Sequence, residues 1–135
     1  MRRLLALTAL TFASLSSPVS AQMTDAASIR PILNATKGNW VAVREFQGQD
    51  LVYLTHLETW RCGLDGVKYG INSDVADQDW ELAECDESNP NAIPEDHLPY
   101  FAQPLNSVET IIVEITYDDG EVETVSFGRD GVEIQ

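Results

Sequence analysis

The chain has 135 residues, of which 44% are hydrophobic, and its 22 acidic and eight basic residues give a formal net charge of −14. This excess of negative charge repels phosphate backbones and anionic membrane surfaces, so we expect no nucleic-acid partner. The length fits one domain with its own hydrophobic core.

The first 21 residues have the pattern of a secretory signal peptide. Two arginines at positions 2 and 3 precede an apolar run over residues 4–15, and Val19 and Ala21 are the small residues that a signal peptidase reads. The pattern predicts Sec-dependent export from a bacterial cytoplasm and cleavage between Ala21 and Gln22. Because the run is short and no second one follows, we expect no membrane insertion of the mature chain.

The predicted cut leaves residues 22–135 as a single small acidic domain. All 22 acidic residues follow the cut, whereas two of the eight basic residues precede it, so the mature chain carries a net charge of −16. Such a charge predicts either a surface whose acidic side chains only keep the protein hydrated, or a surface that attracts cations and basic partners.

Cys62 and Cys85 are the two cysteines of the chain. In an oxidising compartment such a pair predicts a disulfide, here closing a loop of about 22 residues and stabilising the fold by about 3 kcal/mol.

A short N-terminal helix is predicted after Asp25, which can cap it. Ile29, Ile32 and Leu33 form one apolar stripe at helical spacing. Pro31 interrupts the segment, so we expect a second turn to start there.

The rest of the chain reads as β strands joined by turns. We expect a mainly antiparallel β fold of five to seven strands, arranged as a sandwich or a curled sheet. The predicted strands cover residues 40–46, 51–60, 67–71, 80–85, 111–117 and 121–127.

The register of the last hairpin follows from its alternation. A two-residue loop would mix polar and apolar side chains on the core face. A three-residue loop with Gly120 in the left-handed conformation pairs Ile111 with Phe127 and Val113 with Val125, which keeps that face apolar. We therefore predict the three-residue loop.

Residues 86–106 contain four prolines and show no clear period, which predicts a long loop. Such a loop serves recognition or covers the core. Ile93, Leu98, Tyr100 and Phe101 favour the covering role.

His56 and Glu58 are two residues apart in a predicted strand and would share a face. They could form an acid–base pair or two metal ligands, although zinc needs a third protein ligand. His97 lies in the proline-rich segment and joins them only if the fold brings it there. The alternative is that these histidines have no functional role.

Asp74, Asp77 and Asp79 are candidates for weak calcium binding, but their spacing departs from that of calcium loops. We predict no dedicated metal site and no cofactor.

The sequence shows no nucleophile elbow, phosphate-binding glycine loop or other catalytic motif. The function expected is therefore that of an exported, non-enzymatic periplasmic or secreted module that binds or supports another periplasmic or envelope protein. Weak divalent-cation binding is the alternative, and a small hydrolase using His56 and Glu58 is the third hypothesis.

Three short strings resemble small exported proteins of alphaproteobacteria that have no assigned function. They are Asn39-Trp40-Val41-Ala42-Val43-Arg44-Glu45, Thr59-Trp60-Arg61-Cys62-Gly63-Leu64 and Leu98-Pro99-Tyr100. The resemblance implies a signal peptide, one domain and a periplasmic setting, and it supplies no catalytic residues.

Overall fold

The computed structural model describes residues 23–135, together with residues 9, 11, 13 and 14. The predicted cleavage site between Ala21 and Gln22 lies outside the described residues. The helices are α1 (Ala26–Ala35) and α2 (Thr55–Thr59), and the strands are β1 (Ala42–Phe46), β2 (Gln49–Tyr53), β3 (Leu64–Ile71), β4 (Gln78–Trp80), β5 (Tyr100–Pro104), β6 (Thr110–Tyr117) and β7 (Val122–Gly128).

Within residues 23–135, seven strands form two antiparallel sheets, one ordered β1-β2-β5 and the other β4-β3-β6-β7. The prediction of a mainly antiparallel β fold with a short N-terminal helix is confirmed, and Cys62 is bonded to Cys85. Within the described part of the chain, no helix has the length and apolar character needed to cross a membrane.

The last hairpin has the predicted register. Ile111 pairs with Phe127 and Val113 with Val125, and the three-residue loop contains Gly120 at a φ of 89°. Since the apolar partners of both strands are buried, a shift of one residue would turn them toward solvent.

Helix α1 is capped as predicted, because the Asp25 carboxylate accepts a hydrogen bond from the Ser28 amide at 2.8 Å. The predicted restart at Pro31 is wrong, since the helix runs unbroken through it. Ile29 and Leu33 are fully buried in the core. Their burial offsets the one helical hydrogen bond that a proline cannot donate.

The predicted strand over residues 51–60 is also wrong in its second half. Strand β2 ends at Tyr53, and the chain continues into α2. Leu54, Leu57 and Glu58 are buried at positions i, i+3 and i+4, which is the spacing of one helix face.

The proline-rich segment contains a strand that the sequence analysis missed. Strand β5 pairs with β2, and Phe101 packs against the core, in line with a covering role. Leu98 does not cover the core, because it is 59% exposed. The predicted strand over residues 80–85 is replaced by the shorter β4, which ends at Trp80.

Candidate functional site

Glu58 is the centre of a buried polar cluster between α2 and the segment that follows β4. Its side chain is fully buried. Oε1 accepts hydrogen bonds from Trp80 Nε1 at 2.8 Å and His97 Nε2 at 2.6 Å, and Oε2 accepts one from the Ala83 amide at 3.2 Å. A buried carboxylate is tolerated because it has such partners.

His56 does not belong to this cluster. Its Nε2 lies 2.8 Å from Thr36 Oγ1, and burial lowers the pKa of the imidazole. The expected His56–Glu58 pair on one strand face is therefore wrong, because residues two apart on a helix point in different directions. His97, which is 39 residues from Glu58 in sequence, provides the imidazole instead.

The Glu58–His97 pair fixes the orientation of an imidazole, as carboxylates do in catalytic dyads. Among the described residues, however, no hydroxyl or thiol hydrogen-bonds to His97. The pair holds the chain around residue 97 against α2.

Aromatic rings continue this attachment across the two sheets. Phe101 of β5 stacks on Tyr69 of β3 at 4.4 Å between ring centroids and lies 6.0 Å from Trp80 of β4. Trp80 also meets the edge of His97 at 6.2 Å. Because these rings belong to both sheets, they fix the position of the proline-rich segment.

Arg61 is the second buried charge of this region, with 2% of its surface exposed. Nε donates to the Glu84 carbonyl at 2.9 Å, and Nη1 donates to the Glu58 carbonyl at 3.0 Å. Nη2 is out of contact with solvent and has no hydrogen-bond partner among the described residues. Neither of the two bonds brings a negative charge to the guanidinium.

An open cleft of about 890 Å³ lies beside Arg61. It is bounded by residues 84–88 and 92–94, including Cys85 of the disulfide. Three exposed acidic residues, Glu84, Asp86 and Glu87, belong to this lining, and Ala92, Ile93 and Pro94 are its apolar residues. We call this the Arg61 cleft.

The lining of the Arg61 cleft is ordered by short-range hydrogen bonds. The Asp86 carboxylate accepts from the Ser88 hydroxyl at 2.6 Å and from the Ser88 amide at 3.0 Å, and these bonds lower the pKa of Asp86. The Asn91 side chain donates to the Thr59 carbonyl at 2.9 Å and so ties the far side of the lining to the end of α2.

The candidate calcium ligands Asp74, Asp77 and Asp79 are all exposed. Over residues 23–135, no group of three or more His, Cys, Asp or Glu side chains is placed to hold a metal ion. The order in this stretch comes from Asn72, whose side-chain oxygen accepts the amides of Glu109 and Thr110 at 2.8 and 3.0 Å.

A third buried charge, Asp50, lies away from the cleft. Its carboxylate receives two hydrogen bonds from Arg129, at 2.6 and 2.9 Å, and the amides of Asn106 and Val108, each at 3.1 Å. Together these bonds, above all those of Arg129, hold the pKa of Asp50 well below its usual range. All of its partners are structural, so we assign it to stability.

Comparison with known proteins adds no constraint to this geometry: no protein-family model matches the chain, and no curated protein or solved structure is significantly similar to it. The Arg61 cleft and the Glu58 cluster below it form the candidate functional site.

Proposed function

We propose that this chain is an exported, non-enzymatic module of the bacterial periplasm that recognises or supports another protein or envelope component. The observation that carries the proposal is the Arg61 cleft, an open cleft of about 890 Å³ lined largely by one proline-rich segment.

The segment that lines the cleft is attached to the rest of the domain at three places. They are the Cys62–Cys85 disulfide, the Asn91 side chain on the end of α2, and the His97–Glu58 pair. A binding loop that is fixed before it meets its partner loses less conformational entropy on binding. Attachment of this kind supports a recognition role.

The polar groups beside the cleft favour binding over catalysis. Both carboxylate oxygens of Glu58 accept hydrogen bonds from structural partners, and Arg61 donates hydrogen bonds to two backbone carbonyls. Catalysis by acid and base groups requires side chains that are free to exchange protons with a substrate. The exposed carboxylates of the lining instead attract positively charged partners over a distance.

Affinity capture from periplasm tests the proposal when it is tied to the cleft. The tagged mature protein is compared with Ile93→Arg, which places a bulky cation in the cleft, and with Val122→Arg, an exposed β7 position that is 53% accessible. We expect a partner that is recovered by the unchanged protein and by Val122→Arg and is lost with Ile93→Arg. Recovery of nothing, or equal recovery by all three, would contradict the proposal.

Weak calcium binding remains the alternative function, and its support is the clustering of Asp74, Asp77 and Asp79 in one short acidic segment. Because these side chains form no group in the fold, we expect calorimetric titration with calcium to show no tight binding. Tight binding that is lost in Asp77→Ala would favour the alternative.

A further inference from the structure

The Arg61 guanidinium lies buried without a hydrogen-bonded counter-charge. Its two hydrogen-bonded nitrogens face carbonyl oxygens, and its third nitrogen, Nη2, has no partner in the part of the chain that the structure describes. A buried cation is stable when an opposite charge is close to it, and a buried donor without an acceptor is uncommon in folded proteins. The site is therefore short of one anionic acceptor.

Among the described residues, no carboxylate forms a hydrogen bond or ion pair with this guanidinium. Both carboxylate oxygens of Glu58 accept hydrogen bonds from Trp80, His97 and Ala83. Asp86 attracts the guanidinium over a distance, but its carboxylate is hydrogen-bonded to Ser88. The missing acceptor is consequently expected from outside the chain.

The surroundings restrict the kind of anion that can enter. Glu84, Asp86 and Glu87 repel a simple anion, and the mature chain as a whole is strongly acidic. A carboxylate is tolerated here when the molecule that carries it also brings positive charge to the three acidic side chains. The apolar stretch 92–94 offers a surface for the uncharged part of such a ligand.

We infer that the Arg61 cleft binds the free C-terminal carboxylate of a basic peptide, with Arg61 donating hydrogen bonds to the carboxylate and Glu84, Asp86 and Glu87 facing the basic side chains. This inference rests on the proposed function and names the chemistry of the partner. Arg61 suits a carboxylate because its unpartnered Nη2 carries two N–H donors and the guanidinium is always positively charged. Since Nη2 is sealed from solvent, binding includes a shift of the side chains that line the cleft.

Peptide titration tests the inference on the unchanged mature protein. The probe is a short peptide with lysines next to a free C-terminus, and its partner probe is the same peptide with an amidated C-terminus. We expect the free acid to bind and amidation to weaken binding about tenfold or more, because a charge-assisted hydrogen bond is lost. Equal affinity of the two peptides would overturn the inference, as would the absence of binding.

Variants of the protein test separately how the cleft binds the carboxylate of the peptide and how it binds the lysine side chains. Arg61→Lys should weaken binding of the free-acid peptide about tenfold and remove its advantage over the amidated peptide, since lysine lacks the guanidinium that bonds both carbonyls and still offers Nη2. Near-ultraviolet dichroism checks that this variant is folded. If it is not folded, the comparison of the two peptides on the unchanged protein tests the carboxylate inference. Glu87→Gln should reduce the preference for lysine over neutral residues, whereas Glu109→Gln, an exposed position outside the cleft, should leave it unchanged.

Free lysine is the third probe, because it carries both charges without a peptide chain. Binding of free lysine as tight as that of the peptide would overturn the peptide assignment and make the cleft a small-molecule site. The proposed function fails separately: a partner captured through the cleft whose C-terminus is dispensable would support a recognition module and contradict the carboxylate inference.

Discussion

At the scale of single residues, three buried charges differ in how their environment satisfies them. Asp50 has a bidentate arginine and two amides, Glu58 has an indole, an imidazole and an amide, and Arg61 has two carbonyls. The first two are complete structural clusters, because every carboxylate oxygen accepts a hydrogen bond. The third is incomplete, which is why the proposed site is placed there.

The Asp50–Arg129 pair predicts a pH dependence of stability. Because the pKa of Asp50 is lowered in the folded protein, its contribution is complete above the unfolded value of about 3.9 and is lost as the pH falls below that value. Urea denaturation at pH 7 and pH 3 should show a smaller acid destabilisation in Asp50→Asn than in the unchanged protein. The exposed control Asp65→Asn should retain the full pH dependence; equal behaviour of the two variants would contradict the assignment.

The two histidines should differ in their effect on stability. His97→Ala removes a partner from a fully buried carboxylate, so the free energy of unfolding should fall by about 1.5–3 kcal/mol. His56→Ala removes a partner from the Thr36 hydroxyl, which also donates to the Ile32 carbonyl at 2.6 Å. The free energy of unfolding should therefore fall by less in His56→Ala than in His97→Ala. Chemical denaturation measures the free energy of unfolding of both variants. A larger loss of that free energy in His56→Ala would refute the account of the Glu58 cluster.

At the scale of elements, the sequence predicted what depends on neighbours along the chain. The β6–β7 register was predictable because two adjacent segments alternate and a glycine allows the positive φ of the loop. The sequence did not predict strand β5, because Pro99 precedes it, Pro104 is its last residue, and its partner β2 lies about 50 residues earlier in the chain. Helix α2 was missed because it has only five residues and two of them are β-branched threonines. The spacing of Leu54 and Leu57, three residues apart, was the signal.

Strand β3 offers a matched pair of glycines for a packing test. A Cβ at Gly70 would lie 2.1 Å from the Val75 carbonyl oxygen, whereas one at Gly66 would meet nothing within 4 Å. Gly70→Ala should therefore destabilise the protein by about 1–3 kcal/mol, because backbone must move, and Gly66→Ala should stay within about 0.5 kcal/mol. Thermal and urea unfolding give the stability of Gly70→Ala and Gly66→Ala. Equal stability of the two variants would show that residues 72–75 do not pack against β3 at Gly70.

At the scale of the whole molecule, the candidate site is assembled from parts that are distant in sequence. Glu58 and His97 meet across 39 residues, and Cys62 and Cys85 are separated by 23. The cysteine pairing was predictable because there is one possible pair. The buried contacts of Glu58 and Arg61 depend on the tertiary fold, and no local pattern in the sequence predicts them.

Removal of the disulfide should loosen the cleft. The double variant Cys62→Ser, Cys85→Ser should lose about 3 kcal/mol of unfolding free energy, because the unfolded chain is no longer constrained by a closed loop. Limited proteolysis should then cut first within residues 84–94. A double variant as stable and as resistant as the oxidised protein would contradict the role given to the disulfide.

The proposed export predicts a mature protein with a defined first residue. If the leader is removed after Ala21, intact mass and N-terminal sequencing of periplasmic material should place the first residue at Gln22. A start that differs by more than a few residues would refute the predicted site.

The central claim is that the Arg61 cleft is a recognition surface, and photo-crosslinking in intact cells tests it most directly. A photoreactive amino acid is placed at Glu87, in the lining of the cleft, or at Glu109, which is also an exposed glutamate but lies outside the cleft. The account predicts a discrete crosslinked product from position 87 and none from position 109. The same product from both positions, or none from either, would contradict it.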